Sequence, residues 1–232
     1  MKIGILGTGF GSYHAEIYKK LRSVDSITVY GRDKEKLDRL KKDLGVEITT
    51  NMEDILTNPA IDLVDICLPV PLHREYAVAA LKNEKHVFCE TPVCLSLEDA
   101  AAMREAEARY GKRVFVDMFI RHEYPYEYVY ETVQKNTLGK LKSLHLKRQT
   151  PPLWGDLSLE RITTNLMIHE FDFVTWLLGT PEKITAAGIN GKQGEAHVDA
   201  MLVYHDTLVE IQCSSMMPRS HAFTIGFEAV FE

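Results

Sequence analysis

Short apolar runs alternate with longer amphipathic stretches over the first half of this chain, and after Met118 that rhythm gives way to another. Residues 2–6 form an apolar run short enough to be a buried strand, and a helical pattern follows over 11–21. Residues 26–30 and 34–44 repeat the pair. The same reading predicts strands near 46–48, 61–68, 86–89 and 113–116, with helices near 52–56, 74–83 and 97–110. Strands that alternate with helices imply a parallel sheet wrapped on both faces. Two prolines, Pro69 and Pro71, forbid continued ladder pairing after the fourth strand, so 67–73 must be a loop at the carboxyl edge of that sheet.

Beyond Met118, Tyr126, Val129, Tyr130 and Val133 recur at helical spacing, although the tyrosines between 124 and 130 also alternate as a strand would. Pro125 suits a first helical turn and decides for a helix. Residues 142–147 then alternate as a strand. Over 165–178 the pattern predicts one helix on which Asn165, His169, Asp172 and Trp176 make a narrow polar stripe, with apolar residues over most of the remainder. A ribbon this thin points to the lining of a pocket; the competing reading is a surface stripe, or a core histidine satisfied by its neighbours. From Glu182 onward, residues 183–187, 197–204, 208–213 and 222–231 read as consecutive strands, which predicts an open, mostly antiparallel sheet. The last strand runs almost to Glu232, so this second domain is expected to be incomplete.

Chemistry enters where the first strand breaks. Gly7, Gly9 and Ser12 give a G-x-G-x-x-small spacing between a strand and a helix, the setting that a dinucleotide fingerprint requires. Gly7 permits the tight turn, Gly9 lets backbone approach a pyrophosphate, and Ser12 allows close helix packing and offers a hydroxyl. The N–H groups of a new helix, over Thr8, Phe10 and Gly11, favour the negative charge of a phosphate. At the end of the second strand, where an acid usually meets the ribose of NAD, this chain has Gly31 and then Arg32. A guanidinium without a neighbouring carboxylate suits a 2′-phosphate, so NADP(H) is favoured and NAD(H) remains possible. In the alternative, Arg32 merely opens a charged helix and Asp33 takes the ribose. The turn at Gly7–Ser12, Gly31–Arg32, the 69–73 loop and the turn at 90–92 all fall at carboxyl ends of strands, where ligands of such sheets bind.

The chain has 232 residues and a formal net charge of −6 without a basic block, which argues against nucleic acid or an anionic membrane as partner. No apolar run is long enough to span a bilayer, and the N-terminal apolar segment is too short for a signal peptide, so a cytoplasmic location is expected. Four cysteines lack paired ligand spacing and read as reduced thiols. His169 and Asp172 could ligate together, but no second pair supports them, and no metal is expected.

Gly7-x-Gly9-x-x-Ser12-x-His14, the 67–73 loop, Lys85-His86-Val87-Phe88-Cys89-Glu90-Thr91-Pro92, Leu138-Gly139, Ile168-His169-Glu170-Phe171-Asp172 and Trp176-Leu177-Leu178-Gly179 together resemble the Gfo/Idh/MocA family. The resemblance implies a Rossmann domain over residues 1–118, then an α+β substrate and dimerisation domain over 119–232. It also implies NAD(P)-dependent oxidation or reduction of a sugar, cyclitol or related carbonyl compound, and homo-oligomers built through the second sheet. Cofactor contacts would come from Gly7, Thr8, Gly9, Phe10, Gly11, Ser12, Gly31, Arg32, Leu68, Pro69, His73, Glu90 and Thr91. His169 would transfer the proton, with Asp172 and Asn165 orienting and Thr91 near the nicotinamide. The chain departs from the family at Thr91, where a lysine is usual, at Asn165, where an aspartate is usual, and at Val70, which replaces an asparagine. Loss of the lysine opens a second possibility, a nucleotide-binding sensor without chemistry.

Overall fold

A computed structural model describes residues 1–153 and 155–232, and these divide into two compact units, Met1–Asp117 and Met118–Glu232. In the first unit β1 (Lys2–Leu6), β2 (Ser26–Tyr30), β3 (Glu47–Thr49), β4 (Leu63–Ile66), β5 (His86–Cys89) and β6 (Val114–Val116) form a parallel sheet in the order β3-β2-β1-β4-β5-β6. Ile5 pairs with Val29 on one side and with Asp65 on the other, so the strand order reverses at β1. Crossovers run through α1 (Phe10–Tyr18), α2 (Lys34–Leu44), α3 (Glu53–Leu56), α4 (His73–Lys82) and α5 (Leu97–Tyr110). Period-two alternation divides the apolar residues into two cores. Ile3, Ile5, Val29, Ala15 and Leu37 pack together, whereas Leu6, Val64, Ile66, Val87, Ala77, Leu81 and Met103 form the other. Local chemistry sets helix ends: Asp33 accepts from Lys36 N–H at 3.1 Å and Ser96 from Asp99 N–H at 3.1 Å, and Gly45 and Gly111 close their helices at φ +65° and +67°.

The second unit has β7 (Leu141–Gln149), β8 (Lys183–Asn190), β9 (Ala196–Val203), β10 (Leu208–Ser214) and β11 (Thr224–Phe231) in the order β11-β7-β10-β9-β8. β7 and β10 are parallel; the other pairs are antiparallel. Its helices are α6 (Tyr124–Lys135), α7 (Ile162–Asn165) and α8 (Ile168–Leu178). Leu144, Leu146, Val198, Leu202, Val209 and Ile211 bury one sheet face under Tyr126, Val129, Phe173, Val174 and Leu177 of α6 and α8. Pro125 lies in the first turn of α6, so the helical alternative holds at the tyrosines.

The single helix expected over 165–178 is a correction. α7 stops at Asn165, Leu166 takes φ −132° and ψ −50°, and α8 starts at Ile168. Leu166 and Met167 N–H both bond Ile162 O, at 2.9 and 3.0 Å. This break lets Ile162, Leu166 and Met167 all enter the core.

Candidate functional site

At the end of β1, Gly7 sits at φ +119° and gives its N–H to Tyr30 O at 3.0 Å; a Cβ there would strike Cys67 O. Two residues on, a Cβ at Gly9 would meet nothing within 4 Å, which leaves open space over the first turn of α1. That turn carries no side-chain cap; Ser12 N–H donates to Gly9 O at 3.1 Å, and the N–H groups of Phe10 and Gly11 ahead of it are the ones left for a ligand. Close packing falls to Gly11, whose added Cβ would lie 2.8 Å from Ile5 Cγ2, and not to Ser12 as the spacing suggested. Ser12 Oγ instead donates to Thr8 O at 2.8 Å and braces the loop. Phe10 stands exposed at the rim. Gly31 packs so closely that a Cβ would lie 2.6 Å from Thr8 Cγ2, which ties the end of β2 to the cradle. Arg32 is exposed and has no side-chain partner among the described residues, while Asp33 is engaged as the cap of α2. An open, uncapped helix start between two glycines fits a dinucleotide's diphosphate.

His73, expected to contact a cofactor, is engaged within the chain. It is 1% exposed, its Nδ1 lies 3.0 Å from Pro92 O and its Nε2 2.7 Å from Leu68 O. Its role is to fasten the Leu68-Pro69 loop to the turn after β5. In that turn Glu90 Oε2 accepts Thr91 N–H at 3.0 Å, and the Thr91-Pro92 peptide is cis. Thr91 is half-buried, and its hydroxyl has no partner among the described residues.

Sequence reasoning did not assign a role to His14, which lies on α1 one turn below the cradle. Asp65 Oδ2 lies 2.8 Å from its Nδ1 and Glu90 Oε1 3.1 Å from its Nε2. Burial alone would lower this imidazole, but hydrogen bonds and charge from Asp65 and Glu90 win and push it up to about 10. The signal was an aspartate interrupting the apolar β4: a buried carboxylate asks for a cation.

In the second unit His169 lies on the first turn of α8, 4.8 Å from the Phe119 ring, and its Nδ1 has no partner among the described residues. Burial, then the charge of Arg148, pushes it down to about 3. Asp172, expected to orient it, is engaged by Arg121. Arg121 holds that carboxylate with both Nε and Nη2, at 2.6 and 2.5 Å, while its guanidinium lies 5.1 Å over Trp176. Asn165 leaves the stripe with the break in the helix, and its Nδ2 donates to Asp156 O at 3.0 Å. Also missed was the buried pair Arg148–Glu170: Arg148 Nε donates to both carboxylate oxygens at 2.8 and 2.9 Å, and the two residues are 1% and 0% exposed. Burial pushes the Glu170 carboxyl up against the pull of Arg148. Position 148 continues the inward row of Leu144 and Leu146, and an arginine on that row was the available signal.

A family model described as an oxidoreductase family with an NAD-binding Rossmann fold matches residues 1–118, and a GFO/IDH/MocA C-terminal domain model matches 126–230. The chain belongs to the Gfo/Idh/MocA oxidoreductase family. Myo-inositol 2-dehydrogenase of Thermotoga maritima is 30% identical over 197 residues, covering 81% of this chain and 58% of that one. This chain therefore spans somewhat more than half the length of that relative. The apo scyllo-inositol dehydrogenase structure from Lactobacillus casei covers 100% of this chain and 72% of its own, with a TM-score of 0.85 at 24% identity. An Agrobacterium radiobacter oxidoreductase, solved with NAD+, L-tartaric acid and magnesium, covers 100% and 72% with a TM-score of 0.85 at 17% identity. At these identities the two structures speak for the fold. Among the described residues no helix is long and apolar enough to cross a membrane.

Proposed function

We propose that this chain is an NAD(P)-dependent oxidoreductase acting on a cyclitol, sugar or related carbonyl compound, with NADP(H) preferred. The observation that carries the reading is the open space at Gly9 above an uncapped helix start. Family membership and the inositol dehydrogenase relative support the substrate class. In this reading the amides over Thr8–Gly11 hold the diphosphate, with Ser12 bracing the turn. Gly31 allows the adenosine ribose to approach, and Arg32, unpartnered among the described residues and beside an Asp33 engaged as the cap of α2, takes the 2′-phosphate. Leu68 and Pro69 line the cleft, with Glu90 and Thr91 at the nicotinamide end. A bound nicotinamide supplies the hydride donor or acceptor. His169, held neutral by burial and Arg148, accepts the substrate hydroxyl proton on its imidazole, and Nδ1 is the ring atom left without a partner. Thr91 can hydrogen-bond a substrate oxygen but supplies no charge, which slows the step by roughly two to three orders of magnitude against a lysine.

Calorimetry with NADPH and NADH, followed by turnover at 340 nm across inositols, sugars and dicarbonyl compounds, tests this reading. Tighter NADPH binding and turnover with one of these classes are expected; absence of heat with both nucleotides overturns it. A sensor without turnover is favoured by one observation, a proton acceptor held as low as about 3. Thr91→Lys separates the two: a gain of about 10²-fold or more marks an enzyme, and no gain marks a sensor. The β8 edge exposes all eight of its residues, Ile184 and Ile189 included, which supports assembly with a second copy through this sheet. Sedimentation as a monomer at micromolar concentration would count against it.

A further inference from the structure

His14 lies on α1, just after the glycine turn, and its buried ring faces a group of acids. Asp65 at the middle of β4 is fully buried, Glu90 follows β5, and Asp117 follows β6 with Oδ2 3.9 Å from His14 Nε2. The ring also meets Phe88 of β5 at 5.9 Å and Tyr18 of α1 at 6.2 Å, and Cys67 Sγ lies 3.4 Å from Nδ1. Each ring nitrogen therefore faces a carboxylate oxygen. A carboxylate only accepts, so both contacts are hydrogen bonds only when both nitrogens carry protons. His14, Cys67 and Glu90 are also ligand types for a metal ion. Yet Asp65 and Glu90 occupy opposite nitrogens of one ring, an arrangement that a proton on each satisfies directly. The second oxygen of Glu90 holds Thr91 N–H at 3.0 Å, which completes a path from α1 to the cis turn.

We infer that His14 is a positioning residue: as a doubly protonated bridge between Asp65 and Glu90 it ties the glycine cradle to the Glu90-Thr91-Pro92 turn, and nucleotide affinity depends on its charge. The inference rests on the cofactor reading above and adds a control element to the same site. The position to which these acids push the ring, about 10, agrees with it.

The experiment uses the full chain. Long-range proton–nitrogen spectra of the histidine rings, assigned with His14→Gln, are recorded from pH 6 to 8, and NADPH and NADH affinities are measured over the same range in wild type, Glu90→Gln and Asp65→Asn. The wild type is expected to show His14 doubly protonated throughout, with flat affinity. Either acid-to-amide change brings its titration toward neutrality. Nucleotide binding then weakens about tenfold from pH 6 to 8, the change that one unit of differential titration produces. A neutral tautomer in the wild type at pH 7 overturns the inference even if a variant fails to fold. Normal nucleotide binding with a flat, wild-type profile in Glu90→Gln overturns this inference alone, whereas no nucleotide binding by the wild type overturns the cofactor reading with it.

Discussion

His14 in the first unit and His169 in the second are each 7% exposed, yet the first is pushed up to about 10 and the second down to about 3. Burial opposes charge on both rings. What differs is the sign of the neighbours: His14 faces Asp65 and Glu90, and His169 faces the Arg148 guanidinium with an unpartnered Nδ1. The lesson concerns where function can live in such a fold. A histidine between carboxylates is held toward its charged form, whereas one beside a cation is held toward its neutral form. Neither outcome is legible from the residue type.

The largest effect expected from disturbing this contrast comes from the cation beside His169. Glu170→Ala leaves Arg148 buried and uncompensated, and should cost about 3–5 kcal/mol in the urea unfolding of the second unit. The double change Arg148→Met with Glu170→Leu removes both charges and should recover most of that loss. It should also let His169 titrate higher, read by proton NMR, because its positive neighbour is gone. A double variant as unstable as Glu170→Ala would show that the pair's stabilising role is not mainly electrostatic. Next in size is His169→Asn, which should lower turnover by about 10²–10⁴-fold while nucleotide affinity stays within a factor of two or so. Equal loss in binding would place the ring in a structural role.

The two histidines should also leave opposite marks on stability against pH. His169 is neutral when folded but takes a proton when unfolded below about 6.5, so the unfolded state binds more protons and stability falls as pH drops from about 6.5 toward 3. His14 is charged when folded, so its contribution is complete below about 6.5 and is lost as pH rises toward about 10. Denaturant midpoints measured from pH 4 to 10 should show a dome. His169→Phe should flatten its acid side and His14→Gln its alkaline side. Dependence of the same sign in both variants would end the comparison.

Much of the scaffold was readable because its determinants are local. The Leu97–Tyr110 helix shows its ends in Ser96 and Gly111, and β2 and β5 stand out as apolar runs between polar turns. The turn after β1 was readable for the same reason, since Gly7 takes its φ of +119° where the spacing placed the turn. Partnerships were not. Asp65 and His14 are 51 residues apart, and Arg148 and Glu170 are 22 apart, so periodicity gives each residue a face but not the neighbour across it. Asp172 shows the cost of inferring that neighbour from helical spacing alone, because Arg121, outside α8, claims the carboxylate intended for His169. The polar stripe failed at Asn165 because an apolar pattern cannot distinguish a continuous helix from one broken to bury two adjacent side chains.

The smallest expected effect concerns a charge that has neither burial nor partner. Arg32 is exposed and unpaired among the described residues, so Arg32→Ala breaks no internal contact and should leave the melting temperature unchanged. On the NADP(H) reading its contribution is expected only when the nucleotide's phosphate binds. A guanidinium–phosphate contact in solvent, screened by salt, is worth about 1–2 kcal/mol, so NADPH should bind roughly tenfold more weakly while NADH is unaffected. The difference should shrink as salt rises from about 0.05 to 0.5 M, because the Debye length contracts toward contact distance. Buried His14 should show a much smaller salt response, since its acids lie within hydrogen-bond distance, far inside a Debye length. If NADPH and NADH weaken equally in Arg32→Ala, the guanidinium is orienting the turn after Gly31 instead of reading the 2′ position, and the preference for NADP(H) loses its support.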